Sequence, residues 1–191
     1  FNDGGEWQAR IKEIKKGIVN FAIVKKLKHE ENNNEIWLAF SPIKLNYLNF
    51  MIQKATELGV TKFIPILTER TIVRNLNLER LSKIIIEASE QSNRIKLPKL
   101  EKLIKFDEFM KLYKDTDIIF GDLNSTNIEI KIKKDNPLCV LIGPEGDFSE
   151  KERKEILNLK NMKSIKINKN ILRSETAAVS IISIISFKIL S

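Results

Sequence analysis

Apolar residues along this chain fall first into short β-type runs and then into runs of helical spacing. Trp7 to Ile11, Ile18 to Val24 and Glu35 to Phe40 are rich in the branched and aromatic side chains that suit a pleated strand. The turn signal Asp3-Gly4-Gly5 and the polar stretch Glu30 to Asn34 punctuate them. Three strands make an incomplete β unit, and the chain begins without a Met, so part of that unit is expected to lie ahead of Phe1.

At Pro42 the period changes. Tyr47, Phe50, Met51, Ala55 and Leu58 lie close to one helical face, and Gly59 follows as a stop. Val60 to Leu67 reads as a strand, and Leu78 to Ser92 as a second amphipathic helix with Leu81, Ile84, Ile85 and Ala88 inward. A short helix is expected from Phe106 to Tyr113, and a strand from Asp117 to Phe120. A polar loop from Asn124 to Asn136, with at most a short strand, leads to the strand Leu138 to Ile142. A helix near Glu150 to Leu159, a strand at Ser164 to Ile167 and a last helix from Ser174 to Leu190 complete the chain. Strands alternating with helices predict an α/β fold with a mostly parallel sheet. No internal repeat is visible. The last helix is apolar on most of its circumference, with Val179, Ile181, Ile182, Ile184, Ile185, Ile189 and Leu190. Such a helix needs cover on nearly all sides, which predicts a homodimer with this helix at or near the interface.

Composition narrows the picture. Apolar residues make up 42%, enough for a packed core, so disorder is not the expectation. Lys and Arg number 33 against 25 Asp and Glu, and the surplus of +8 favours a polyanionic partner, nucleic acid first. The one cysteine, Cys139, lies in an apolar strand, where it reads as a small hydrophobe rather than a nucleophile. A single histidine, His29, and no paired cysteines argue against a zinc site. Ser180, Ser183, Ser186 and Lys188 interrupt the last apolar run, so it reads as a buried helix rather than a membrane span. Nothing near Phe1 resembles a signal peptide, and a cytoplasmic protein fits these features.

Two segments carry candidate chemistry. In Leu141-Ile142-Gly143-Pro144-Glu145-Gly146-Asp147-Phe148-Ser149-Glu150-Lys151-Glu152 an apolar strand ends in a Gly/Pro turn and a helix begins at once. Ser149 and Glu152 have capping-box spacing. The glycines let backbone approach a ligand, and strand ends are where open α/β sheets bind theirs. The segment is neither a Walker A loop nor a GxGxxG loop, and a plain strand-to-helix turn is the competing reading. In Ile167-Asn168-Lys169-Asn170-Ile171-Leu172-Arg173-Ser174-Glu175-Thr176-Ala177 a polar loop opens the last helix. Ser174 or Thr176 could cap that helix, and Glu175 suits its positive end. Capping plus a surface arginine is the competing reading here.

These two segments resemble the signatures of the RsmE ribosomal RNA methyltransferases. Gln53-Lys54-Ala55-Thr56-Glu57-Leu58-Gly59-Val60 with Pro65-Ile66-Leu67-Thr68-Glu69-Arg70, and Glu87-Ala88-Ser89-Glu90-Gln91-Ser92-Asn93-Arg94, are similar to two further signatures, so ordered matches run over residues 44–191. The resemblance implies a SPOUT methyltransferase domain over residues 42–191, with a C-terminal trefoil knot, preceded by the end of a PUA-like β-barrel over residues 1–41. It implies a homodimer and methylation of uridine N3 in 16S rRNA, on the assembled small subunit. The cofactor would be S-adenosylmethionine, held among the loops Gly121 to Asn124, Ile142 to Gly146 and Ile167 to Leu172. The contacts it assigns are Gly121, Leu123, Asn124, Ile142, Gly143, Pro144, Glu145, Gly146, Ile167, Asn168, Ile171, Leu172 and Thr176. Valine at Gly143 or Gly146 is expected to fill that pocket. Arg173 would stabilise the uracil anion or position RNA, and Glu145 or Glu175 would take a proton or bond the cofactor. Arg70 and Arg94 would join Arg173 in binding RNA. No metal is needed. Asn168 and Asp147 stand where the family often has glycine, and Asn170 where it has a basic residue. Asparagine tolerates the left-handed region better than most non-glycine residues, so the loop is expected to survive the change at Asn168. Competing readings are a SPOUT enzyme acting on tRNA or a ribose hydroxyl, and a non-catalytic RNA-binding assembly factor.

Overall fold

The structure, a computed structural model, describes residues 5–29, 35–130 and 136–190. The signals at Asp3-Gly4, at residues 30–34 and in the middle of the loop 124–136 lie outside the described residues. The first two strands, β1 (Gly5–Lys15) and β2 (Ile18–His29), form an antiparallel hairpin of their own. Lys16 and Gly17 both have positive φ, as a two-residue type I′ turn requires. Ile11, Phe21 and Ile23 on this hairpin are exposed.

The elements that follow are β3 (Ile36–Phe40), α1 (Leu45–Glu57), β4 (Val60–Leu67), α2 (Leu78–Gln91), β5 (Lys99–Leu100), β6 (Ile104–Lys105), α3 (Phe106–Leu112), β7 (Asp117–Gly121), β8 (Leu138–Ile142), α4 (Glu150–Leu157), β9 (Met162–Ile165) and α5 (Ser174–Leu190). They build a parallel sheet of order β5-β4-β3-β8-β7-β9, with β6 also paired to β4. The reading of Glu35 to Phe40 as a third strand of the first β unit is corrected: β3 pairs in parallel with both β4 and β8, at the middle of the large sheet. Its nearly unbroken run of buried residues is that of a strand covered on both faces. The strand expected at Ser164 to Ile167 begins earlier, as β9, and leaves Ile167 in the following loop.

Side chains alternate between two cores, one on each face of the sheet. Ile36, Leu38 and Phe40 of β3 and Leu138, Val140 and Ile142 of β8 meet α1, α2 and α5 on one face. Ala39, Cys139 and Leu141 point the other way, toward Phe106 and Phe109 of α3, Phe148, and Ile156 of α4. Burial pushes the Cys139 thiol up to about 12, against the smaller opposing effects of a backbone hydrogen bond from Ala39 and the charge of Lys62, so it is no nucleophile at neutral pH. No helix among the described residues is long and apolar enough to cross a membrane.

The last helix is not covered on all sides within one chain. Ala178, Ile181, Ile182 and Ile185 are fully buried, but Ile184 is 38% and Phe187 73% exposed. It buries one face and leaves a second apolar stripe open.

Candidate active site

Strands β4 and β5 are added on one side of β3, and β8, β7 and β9 on the other, so the order of strand succession switches sides between β3 and β8. Ligands of open α/β sheets bind beyond the carboxyl ends of strands near such a switch. A cavity of about 450 Å³ lies there, at the ends of the adjacent strands β8, β7 and β9. Its floor is apolar, with Ile142, Ile165, Ile167, Leu172 and Ile181, and Leu123 adds a wall from the loop after β7.

Each wall is fixed by its own hydrogen bonds. After β7, the Asp122 N–H donates to the Ile165 carbonyl (2.9 Å), and the Asp122 carboxylate accepts from the Asn124 N–H (2.9 Å) and from Arg153 of α4. After β8, the Asp147 N–H donates to the Pro144 carbonyl (2.9 Å), closing a turn over Pro144 to Asp147. Asp147 has φ of 59°, which is why glycine suits this position, and its carboxylate accepts from the Phe148 N–H at 2.7 Å. The turn runs straight into the Ser149–Glu152 capping box of α4. Glu152, 7% exposed, also reaches beyond its own helix. One of its oxygens accepts from the Ser149 N–H (2.9 Å), the other from the Glu69 N–H (2.8 Å) after β4. Arg70 completes the tie by donating to the Gly146 carbonyl at 3.0 Å.

The third wall is the loop after β9. The Lys166 N–H donates to the Asn127 carbonyl at 2.8 Å, and the Asn170 N–H to the Asn168 side chain at 2.8 Å. Asn168 has no positive φ, and the left-handed residue of the site is Asp147. Ser174 donates its hydroxyl to the Gly143 carbonyl (3.0 Å), so it joins two walls instead of capping α5.

Arg173 stands on the exposed rim of the cavity, its guanidinium 5.1 Å from the ring centroid of Tyr47 in α1. Its pKa is raised, first by a hydrogen bond to Tyr47, then by the charges of Tyr47, Glu175 and Glu145. Glu145 and Glu175 both line the cavity, the first exposed and the second only 7% so. The cavity therefore offers an apolar bed, backbone from three strand-end loops, the cations Lys44, Lys166 and Arg173, and the carboxylates of Asp122, Glu145, Asp147 and Glu175.

Of the residues expected to contact a cofactor, Gly121, Leu123, Ile142, Gly143, Pro144, Glu145, Ile167, Asn168, Ile171 and Leu172 line this cavity. Asn124, Gly146 and Thr176 do not. A Cβ on Gly143 would meet the Phe148 ring at 3.0 Å, whereas one on Gly146 would lie 3.8 Å from Arg70. Arg70 borders a small adjoining pocket with Lys44, Pro144 and Glu145. Arg94 sits elsewhere: its guanidinium donates to the carbonyls of Thr56 and Val60, both at 2.7 Å, and burial lowers its pKa. Lys44, Tyr47 and Asp122 line the cavity as well, though no sequence motif marks them. Asp122 follows an apolar strand directly and could have been found by that rule; Lys44 and Tyr47, at the start of α1, carry no such signal. Among the described residues, no cluster of His, Cys, Asp and Glu is arranged to hold a metal ion.

A family model described as an RNA methyltransferase domain matches residues 30–186. Ribosomal RNA small subunit methyltransferase E of Rickettsia conorii is 34% identical over 183 residues, 94% of this chain and 75% of that protein. Among solved structures, ribosomal RNA small subunit methyltransferase E from Neisseria gonorrhoeae bound to S-adenosyl methionine superposes with a TM-score of 0.86. It is 27% identical, over 98% of this chain and 81% of that one. A SpoU methyltransferase from Streptomyces viridochromogenes shares the fold at a TM-score of 0.57 and 17% identity, over 83% of this chain and 61% of that one.

Proposed function

The chain belongs to the RNA methyltransferase domain family, of the ribosomal RNA small subunit methyltransferase E type, and on that footing we propose that it methylates N3 of a uridine in 16S rRNA of the small subunit, using S-adenosylmethionine. The observation that carries the reading is the cavity bounded by the loops after β7, β8 and β9, with Arg173 on its rim and Glu145 and Glu175 in its lining. Its size is in the range of cofactor sites. The apolar floor suits an adenine ring, and Glu145, Glu175 and loop backbone suit ribose hydroxyls and an ammonium group. Bound S-adenosylmethionine supplies an electrophilic methyl group.

The residues of the chain have the remaining work. Uracil N3 carries a proton that must leave, so the site needs an acceptor, for which Glu145 and Glu175 are the candidates. The charge left on the ring needs a fixed cation, which is the role given to Arg173. Orientation of the ring against the cofactor contributes much of the rate. Arg70, tied to the Gly146 carbonyl, borders the small adjoining pocket and is given an RNA contact there. Arg94 is given RNA contact only through whatever its bonds to the end of α1 leave accessible. We place the domain boundary ahead of β3, with the hairpin β1–β2 belonging to a PUA-like barrel and the remainder to a knotted SPOUT domain. The enzyme is taken to act as a cytoplasmic homodimer.

The test is methyl transfer to purified small subunits and to free 16S rRNA, followed by mass mapping of the product. The expected product is one N3-methyluridine, which also arrests primer extension because N3 lies on the pairing edge. Methylated tRNA or a ribose methyl would move the substrate elsewhere. Absence of cofactor binding by calorimetry would leave a non-catalytic RNA-binding factor.

A further inference from the structure

Arg173 leads off from a loop, is exposed, and must nonetheless present its charge to one spot if it is to favour a transition state over solvent. Its own backbone fixes only the start of the side chain: the Arg173 carbonyl accepts from the Ala177 N–H at 2.8 Å. Among the described residues the guanidinium meets no carboxylate in a salt bridge, and its close side-chain partner is Tyr47. Tyr47 sits in the first turn of α1, a helix locked by the buried Leu48, Met51, Ile52 and Ala55. Tyr47 is 36% exposed and lines the cavity. A half-exposed tyrosine on a rigid helix, facing the cavity and carrying a cation over its ring, contributes less to the core than its neighbours do.

We propose that Tyr47 is the positioning residue for Arg173, holding the guanidinium over the rim of the cavity by stacking on its ring. The proposal rests on the role given to Arg173 above and adds the element that fixes it. A planar guanidinium over an aromatic face keeps its N–H groups free at the edges, so it can be anchored and still donate to an anion or a phosphate. The stack also joins α1 to the loop after β9, two segments that approach the cavity from different sides. Tyr47 touches no reacting atom in this scheme; it acts through the arginine.

A double-mutant cycle on the full chain tests this, with kcat for methyl transfer to small subunits as the readout and cofactor affinity and thermal unfolding as controls. Arg173→Ala alone is expected to lower kcat roughly a hundredfold. Tyr47→Ala alone is expected to lower it roughly tenfold at saturating S-adenosylmethionine, since a loosely held group loses much of its effect, with the melting temperature little changed. In the Arg173→Ala background, Tyr47→Ala should cost no more than about twofold, because the group it positions is gone. Tyr47→Phe, which keeps the ring face but removes the hydroxyl, should fall between the unaltered chain and the Ala variant. Equal losses in both backgrounds would overturn the inference, because Tyr47 would then act independently of Arg173. Normal turnover by Tyr47→Ala, or a Phe variant as poor as the Ala variant, would overturn it too. If Arg173→Ala itself turns over normally, the assigned role of Arg173 falls first and this inference with it.

Discussion

Single residues at this site divide into those that face the cavity and those that shape the chain around it, and the two glycines of the loop after β8 separate the classes. Gly143 has no room for a side chain: the ring of the buried Phe148 stands 3.0 Å from where a Cβ would be. That ring packs against Phe106 and Phe120, so it cannot swing away cheaply. Gly146 faces the flexible stem of Arg70 at 3.8 Å, an ordinary contact, and its φ is not positive. Gly143→Ala is therefore expected to weaken S-adenosylmethionine binding about tenfold or more by displacing the turn, an estimate from the cost of overpacking. Gly146→Ala should change it less than about twofold. Calorimetry on both variants decides; equal effects would mean that the turn geometry, and not the Phe148 contact, controls the site. Both glycines are visible in the sequence, which offers no means of telling them apart. Which neighbour a glycine faces depends on a ring five residues on that folds back from the start of α4. Lys44 and Tyr47 were hidden for a similar reason. They carry no motif, and only the packing of α1 brings them to the cavity.

Elements were more legible than residues, wherever local physics decides. The Ser149–Glu152 box was readable as spacing and exists as two reciprocal bonds. Gly59 stops α1 with a φ of 98°, as its place after the helical run implied. Pairing was less legible, because a strand does not announce its neighbours: β3 has the residues of any buried strand, and only the sheet reveals that it lies between β4 and β8. The second bond of Glu152 belongs to this non-local class. Its carboxylate joins the start of α4 to the loop after β4, across 83 residues of sequence. Glu152→Ala leaves the Glu69 and Ser149 N–H groups without their acceptor and removes half of the capping box. The expected cost is about 2–4 kcal/mol of folding stability, from the cost of buried unpaired donors together with a lost cap. Glu152→Gln should fall between, since a carboxamide offers one acceptor oxygen where two N–H groups call for one each. Urea unfolding measures both. A loss under about 0.5 kcal/mol for the alanine variant would show that water replaces the carboxylate freely.

At the scale of the whole molecule the question is what covers the outer face of α5. A helix apolar all round is expected to be buried all round. Within one chain, α5 instead buries Ala178, Ile181, Ile182 and Ile185 against the sheet and α1, and leaves Ile184 and Phe187 open on the face away from them. α1, which packs beside it, exposes Phe50 as well. Scattered exposed apolar residues are ordinary, but two large ones three apart on one helix stripe form a line that a second helix could cover. The same helix begins at Ser174, whose hydroxyl bonds the Gly143 carbonyl, so a partner seated on α5 would brace the cavity wall from behind. The expected state is a homodimer with twice the 22.1 kDa of one chain, its interface including Phe187 and Ile184. A charge at Phe187 would have to be desolvated at that interface, which costs several kcal/mol when it is unpaired, yet would be harmless on a free surface. Light scattering at micromolar concentration should therefore report a dimer for the unaltered chain and a monomer for Phe187→Glu, with the monomer still folded by circular dichroism. A monomeric mass for both would leave the stripe as open surface. A dimer for both would put the interface on another face. If the variant is monomeric and also binds S-adenosylmethionine more weakly, the brace on the cavity wall is real and the dimer is part of the site.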